Sequence, residues 1–121
     1  MLLSIADTVA WNHQDDKPHR ILVGEVRGAE AFDLLQAPNT GHLGSLSTLH
    51  ANSAEQALTR FARCVPTANV GLPHASIREA IALAIHLVVH IARDGGRRRV
   101  TQLVAVRGYS PQTDTFSLTT L

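Results

Sequence analysis

The spacing of apolar residues changes once along this chain, and that change restricts the fold more than any other feature. Up to about residue 85, short apolar runs alternate with stretches of helical period. From Leu87 onward the runs are strand-like and separated by turn residues. Ile21-Leu22-Val23 reads as a buried strand stopping at Gly24-Glu25. Residues 29–37 follow as a helix with Ala31, Leu34 and Leu35 on one face and Pro38 at its end. Thr40-Gly41-His42-Leu43-Gly44 is a tight loop before a second short strand, Leu46 to Leu49, which ends at His50. Asn52 or Ser53 caps the next helix, with Glu55 or Gln56 three residues on. That helix runs to about Cys64 with Ala57, Leu58, Phe61 and Ala62 inward. Pro73 and Ser76 introduce a further helix over about 76–85. Strands are then expected over 87–93, 98–107 and 115–120, with turns at Asp94-Gly95-Gly96 and Ser110 to Asp114. At the amino terminus, Leu2, Ile5 and Val9 predict a short amphipathic helix over 2–11. The whole reads as an α/β unit whose alternating first part is followed by a small antiparallel extension.

Composition narrows the class of protein. Eleven basic and ten acidic residues leave a formal charge of +1, which argues against a module that grips nucleic acid through many phosphate contacts. Cys64 is the one cysteine, so an internal disulfide and a four-cysteine zinc site are both impossible, and a reducing compartment is expected. The longest apolar stretch, Ala80 to Ala92, has 13 residues against the ~20 needed to span a bilayer. The first residues lack the positive segment of a secretory signal, which makes the cytoplasm the expected location.

Two strand ends carry the chemistry. An apolar strand that delivers Glu25 at its carboxyl end puts a carboxylate where open α/β sheets bind ligands. Gly24 beside it permits close backbone approach. A neighbouring strand ending at His50 brings an imidazole to the same edge. In P-loop ATPases a carboxylate so placed orients or deprotonates the attacking water. Taken singly, a glutamate after a strand is a solvated loop residue, and a glycine-flanked histidine belongs to a turn. Arg20 and Arg27 can equally be read as ion-pair partners of Asp16 and Glu30.

Jointly these segments resemble the secretion ATPases of type IV secretion and conjugal transfer, within the type II/IV secretion ATPase superfamily. The family's Walker B signature is matched from Gly24 through Ala31. Its histidine box is matched by Thr40-Gly41-His42-Leu43-Gly44 and Thr48-Leu49-His50-Ala51. Val88 to Ile91 and Val106 to Tyr109 look like its closing strands. The resemblance covers about residues 18–121 and implies the carboxy-terminal part of a RecA-like ATPase domain. It further implies Glu25 as catalytic glutamate and His42 and His50 as γ-phosphate sensors. Arg20, Arg27, Gly24, Thr40 and Gly41 would lie against nucleotide. In an intact relative it implies ATP and Mg²⁺, a homo-hexamer serving secretion machinery at the inner membrane, and no direct contact with nucleic acid.

The departures are equally specific. No Gly-x-x-x-x-Gly-Lys-Ser/Thr loop occurs in the 121 residues, and the single lysine, Lys17, has no glycine just before it. The family's amino-terminal domain and upstream acidic box are missing too. Lys17-Pro18-His19-Arg20 replaces Arg-Pro-Asp-Arg, and Pro38 replaces an aromatic. Residues 1–17 match the family poorly. A truncated ATPase that binds no nucleotide tightly by itself is therefore expected, the rival being a non-catalytic remnant or assembly partner docking on intact subunits. A third idea, metal binding through the seven histidines, has little spacing support. His86, His90 and Asp94 share helical spacing, but the strand beginning at Leu87 breaks it, so no metal site is expected. Arg97-Arg98-Arg99 reads as a solvated strand start, and Cys64 as a small buried hydrophobe.

Overall fold

The computed structural model describes residues 2–4, 20–36, 44–65 and 71–121. In chain order the elements are β1 (Leu2–Ser4), β2 (Arg20–Val23), α1 (Glu30–Gln36), β3 (Gly44–Thr48), α2 (Ala54–Cys64), α3 (His74–Ala84), β4 (Leu87–Asp94), β5 (Arg97–Ser110) and β6 (Thr115–Thr120). The strands form one sheet in the order β2-β3-β1-β4-β5-β6. β2 with β3, β3 with β1, and β1 with β4 are parallel, whereas β4 with β5 and β5 with β6 are antiparallel. The change of apolar spacing thus marks the passage from parallel crossovers to hairpins.

Most elements lie where local chemistry puts them. Ser53 caps α2 by accepting the N–H of Gln56 at 3.2 Å, and the Ala54 N–H is taken by the Gln102 side chain at 2.8 Å. Gly95 and Gly96, at φ +56° and +80°, make the tight turn between β4 and β5, a backbone that L side chains rarely adopt. α3 starts two residues before Ser76, directly after Pro73, whose extended backbone serves as the cap without a side-chain bond. Asp94 belongs to β4, where it pairs with Arg97, and β5 runs on to Ser110 because β6 supplies partners that far. The amino terminus is the clear correction. Leu2–Ser4 is a strand between β3 and β4, not the start of a helix over 2–11, whose remaining residues lie outside the described ones. Three apolar-rich residues satisfy either period, and pairing on both sides decides for the strand.

The helices pack on one another and on the sheet, α2 on β4 and β5 and α3 on β5. Phe61, Leu58, Ile81, Ile85 and Val88 are fully buried in the shared core. Phe61→Ala is expected to cost about 3–5 kcal/mol, because a large ring leaves a cavity that such neighbours fill only partly. A urea midpoint within error of the wild type at unchanged slope contradicts this.

A polar cluster ties the last hairpin to α3. Asp114, in the β5–β6 turn, accepts from the Tyr109 hydroxyl at 2.5 Å and lies 3.1 Å from His74 Nε2 and 3.3 Å from Arg78 Nε. Arg78 is buried, and its guanidinium sits 6.0 Å from the centre of the Phe116 ring. The Tyr109 hydrogen bond, then that of His74, hold the Asp114 carboxyl below its ordinary range. A depressed carboxyl stabilises fully above its unfolded pKa, ~3.9, and loses that contribution as pH falls through the folded value. Melting curves of wild type and Asp114→Asn should therefore draw together as the medium is acidified through this window. A constant gap contradicts the assignment.

Candidate functional site

β2 and β3 run parallel, so Glu25, two residues past β2, and His50, two residues past β3, emerge at the same carboxyl edge. The two segments are tied together at that point. The Thr48 hydroxyl donates to the Gly24 carbonyl, and the Val26 N–H donates to the Thr48 carbonyl at 2.8 Å. Between these anchors Glu25 meets a guanidinium and an imidazole. Its Oε2 lies 2.7 Å from Arg27 Nη2, and its Oε1 lies 3.3 Å from His50 Nε2.

The Arg27 hydrogen bond holds the Glu25 carboxyl below its ordinary range, with further help from the charges of His50 and Arg60. Glu25 is therefore ionised at neutral pH and partly sheltered, at 25% side-chain exposure, while Arg27 and His50 stand in solvent at 77% and 58%. Glu30 steadies the same turn: its carboxylate accepts from the backbone N–H groups of Arg27 at 2.5 Å and Gly28 at 3.2 Å. Arg27 thus gives its guanidinium to Glu25 and only its backbone N–H to Glu30.

Beside the cluster a groove of about 1080 Å³ runs along α2, lined among others by Arg27, His50, Ser53, Arg60 and Arg63. Four basic side chains against the one carboxylate of Glu55 in the same lining suit an anion. Arg60 and Arg63 were not among the residues the sequence suggested. Their signal was available, since they sit three apart, off the buried stripe of Ala57, Leu58, Phe61 and Ala62.

The other expected site residues fare differently. Thr40, Gly41 and His42 lie outside the described residues. Arg20 opens β2 opposite Gly44, at the other end of the strand from Glu25, roughly 16 Å of extended chain away. Arg27 makes its ion pair with Glu25 rather than with Glu30, and the pairing of Arg20 with Asp16 lies outside the described residues. His90 is a buried strand residue with Nδ1 at 2.6 Å from Thr101 Oγ1 and Nε2 at 3.3 Å from the Ala51 carbonyl. Among the described residues no three His, Cys, Asp or Glu side chains gather in a metal-holding group. Cys64 is buried, and burial raises its thiol pKa. No helix among the described residues is long and apolar enough to cross a membrane.

A parallel sheet edge that gathers a carboxylate, an imidazole and a guanidinium beside a groove defines the class: an α/β protein with its polar cluster at the strand ends. The chain belongs to the Type II/IV secretion system protein family, whose profile matches residues 12–114. It is 42% identical over 93 residues to the conjugal transfer protein TrbB of Rhizobium radiobacter, covering 77% of this chain and 28% of that protein. It is 44% identical over 91 residues to the type IV secretion system protein PtlH of Bordetella pertussis, covering 71% and 27%. The crystal structure of the VirB11 ATPase from the Brucella suis type IV secretion system, in complex with sulphate, superposes with a TM-score of 0.69 at 28% identity. That superposition covers 86% of this chain and 39% of VirB11. The α/β architecture thus matches part of the VirB11 ATPase fold, and the chain spans little more than a quarter of TrbB and PtlH.

Proposed function

We propose that residues 18–121 are the carboxy-terminal part of an ATPase motor domain energising type IV secretion or conjugal transfer. Glu25 orients the water that attacks the γ-phosphate. The observation that carries this reading is the convergence of Glu25, Arg27 and His50 at one strand edge. A carboxylate ionised well below neutral pH abstracts protons poorly but is a permanent acceptor for a water O–H. A phosphate entering the basic groove competes for Arg27, and the carboxylate oxygen so released is free to hold the water. His50, just past the end of the neighbouring strand, senses the loss of the γ-phosphate through the same carboxylate. His42, Thr40 and Gly41 belong to this reading on the family resemblance alone.

Arg27, His50, Arg60 and Arg63 fit the terminal phosphates of ATP by charge. The rest of the nucleotide needs a glycine-rich backbone cradle and a lysine that these residues do not supply. Mg²⁺, when bound with ATP in the intact assembly, neutralises phosphate charge. That assembly is a homo-hexamer in the cytoplasm, peripheral to the inner membrane.

The second reading is an assembly partner docking on intact subunits. Joining residues 18–121 behind the P-loop half of a relative separates the two. Magnesium-dependent turnover that requires Glu25 supports the motor reading, and a folded, nucleotide-binding chimera without turnover overturns it.

A further inference from the structure

We propose that Thr48 is the positioning residue of this site, the group that sets Glu25 within reach of His50. Its hydroxyl holds the Gly24 carbonyl and its carbonyl holds the Val26 N–H, so one residue brackets Glu25 on both sides in sequence. Two residues further on, the same strand end delivers His50, 3.3 Å from the carboxylate. Thr48 is 4% exposed, which leaves little room for water to replace a lost hydroxyl. The carbonyl bond is open to any residue at this position, but the bond to Gly24 needs a hydroxyl.

Arg27 cannot do this work. It sits two residues from Glu25 on the same segment and follows that segment wherever it goes, whereas His50 belongs to another strand. The separation between Glu25 and His50 therefore reports how firmly the two strand ends are held in register. Ser47, next door on β3, supplies the contrast: its hydroxyl is also buried but has no hydrogen-bond partner among the described residues. A buried hydroxyl on this strand is not enough; its aim at the Gly24 carbonyl is what matters.

The significance of the clamp for turnover rests on reading Glu25 as the water-orienting group, but its test needs no turnover. In the 121-residue chain, the Glu25 carboxyl is titrated by carbon-detected NMR, with and without His50→Gln. In the wild-type background His50→Gln raises the Glu25 midpoint, because a neighbouring positive charge is removed. Thr48→Val and Thr48→Ala, which lack the hydroxyl, are expected to lose more than half of that His50-dependent shift, while Thr48→Ser and Ser47→Ala keep it. Both hydroxyl-free variants are made so that either one, folded by its amide spectrum, decides. An undiminished shift in a folded hydroxyl-free variant overturns the proposal, as does its loss in Thr48→Ser. Failure of the motor reading looks different: a Glu25→Gln chimera that still turns over leaves these titrations unaltered.

Discussion

Glu25→Gln, in a chimera of residues 18–121 behind a relative's P-loop half, is expected to lower ATP turnover by about 10²-fold or more, the order of effect when a reacting water loses its positioning. Glutamine keeps the size of the side chain and one acceptor oxygen but removes the charge. Three things change together. The water loses an anionic acceptor, Arg27 loses its 2.7 Å partner, and His50 loses the carboxylate at 3.3 Å. Nucleotide affinity is expected to hold or rise slightly, because a negative charge facing a triphosphate has been removed. The signature is a fall in kcat at unchanged dissociation constant, which marks an interaction made in the transition state. Undiminished turnover contradicts the role assigned to Glu25. A parallel loss of affinity would move that role from water positioning to nucleotide binding.

The 121-residue polypeptide on its own is expected to bind ATP at least ~1000-fold more weakly than such a chimera. Charge-assisted contacts are worth about 1.5–3 kcal/mol each, and a glycine-rich loop with its lysine supplies several. Losing three amounts to roughly 4.5–9 kcal/mol, more than three decades in dissociation constant. What remains is the attraction of the groove around Arg27, Arg60 and Arg63, which are solvent-exposed and hence screened by salt. Residual binding should accordingly weaken as ionic strength rises, and inorganic triphosphate should compete with it. Micromolar, magnesium-dependent binding measured by calorimetry contradicts this expectation.

What the sequence determined by itself was local. Ser53 needs only the N–H of Gln56, three residues away, so the start of α2 was legible to within one residue, Asn52 being the other candidate cap. The boundaries of β6 follow from the turn before it and its own composition, and Thr115–Thr120 is the span expected. The pairing of Glu25 with His50 was also within reach, because two parallel strands with short extensions must present their ends at one edge. What only tertiary structure decided was non-local. Leu2 pairs with Leu46 and with Leu87, and no window around residue 2 contains that information. Asp114 finds its place through His74 and Arg78, 40 residues back for the histidine. Thr48 meets Gly24 across 24 residues of chain, so a hydroxyl that reads in sequence as one more strand residue becomes the bracket around the carboxylate. Short-range patterns fix which face of an element is apolar, but the distance between two side chains on different elements depends on strand order and register. Those are set only when the whole sheet pairs and its faces are buried.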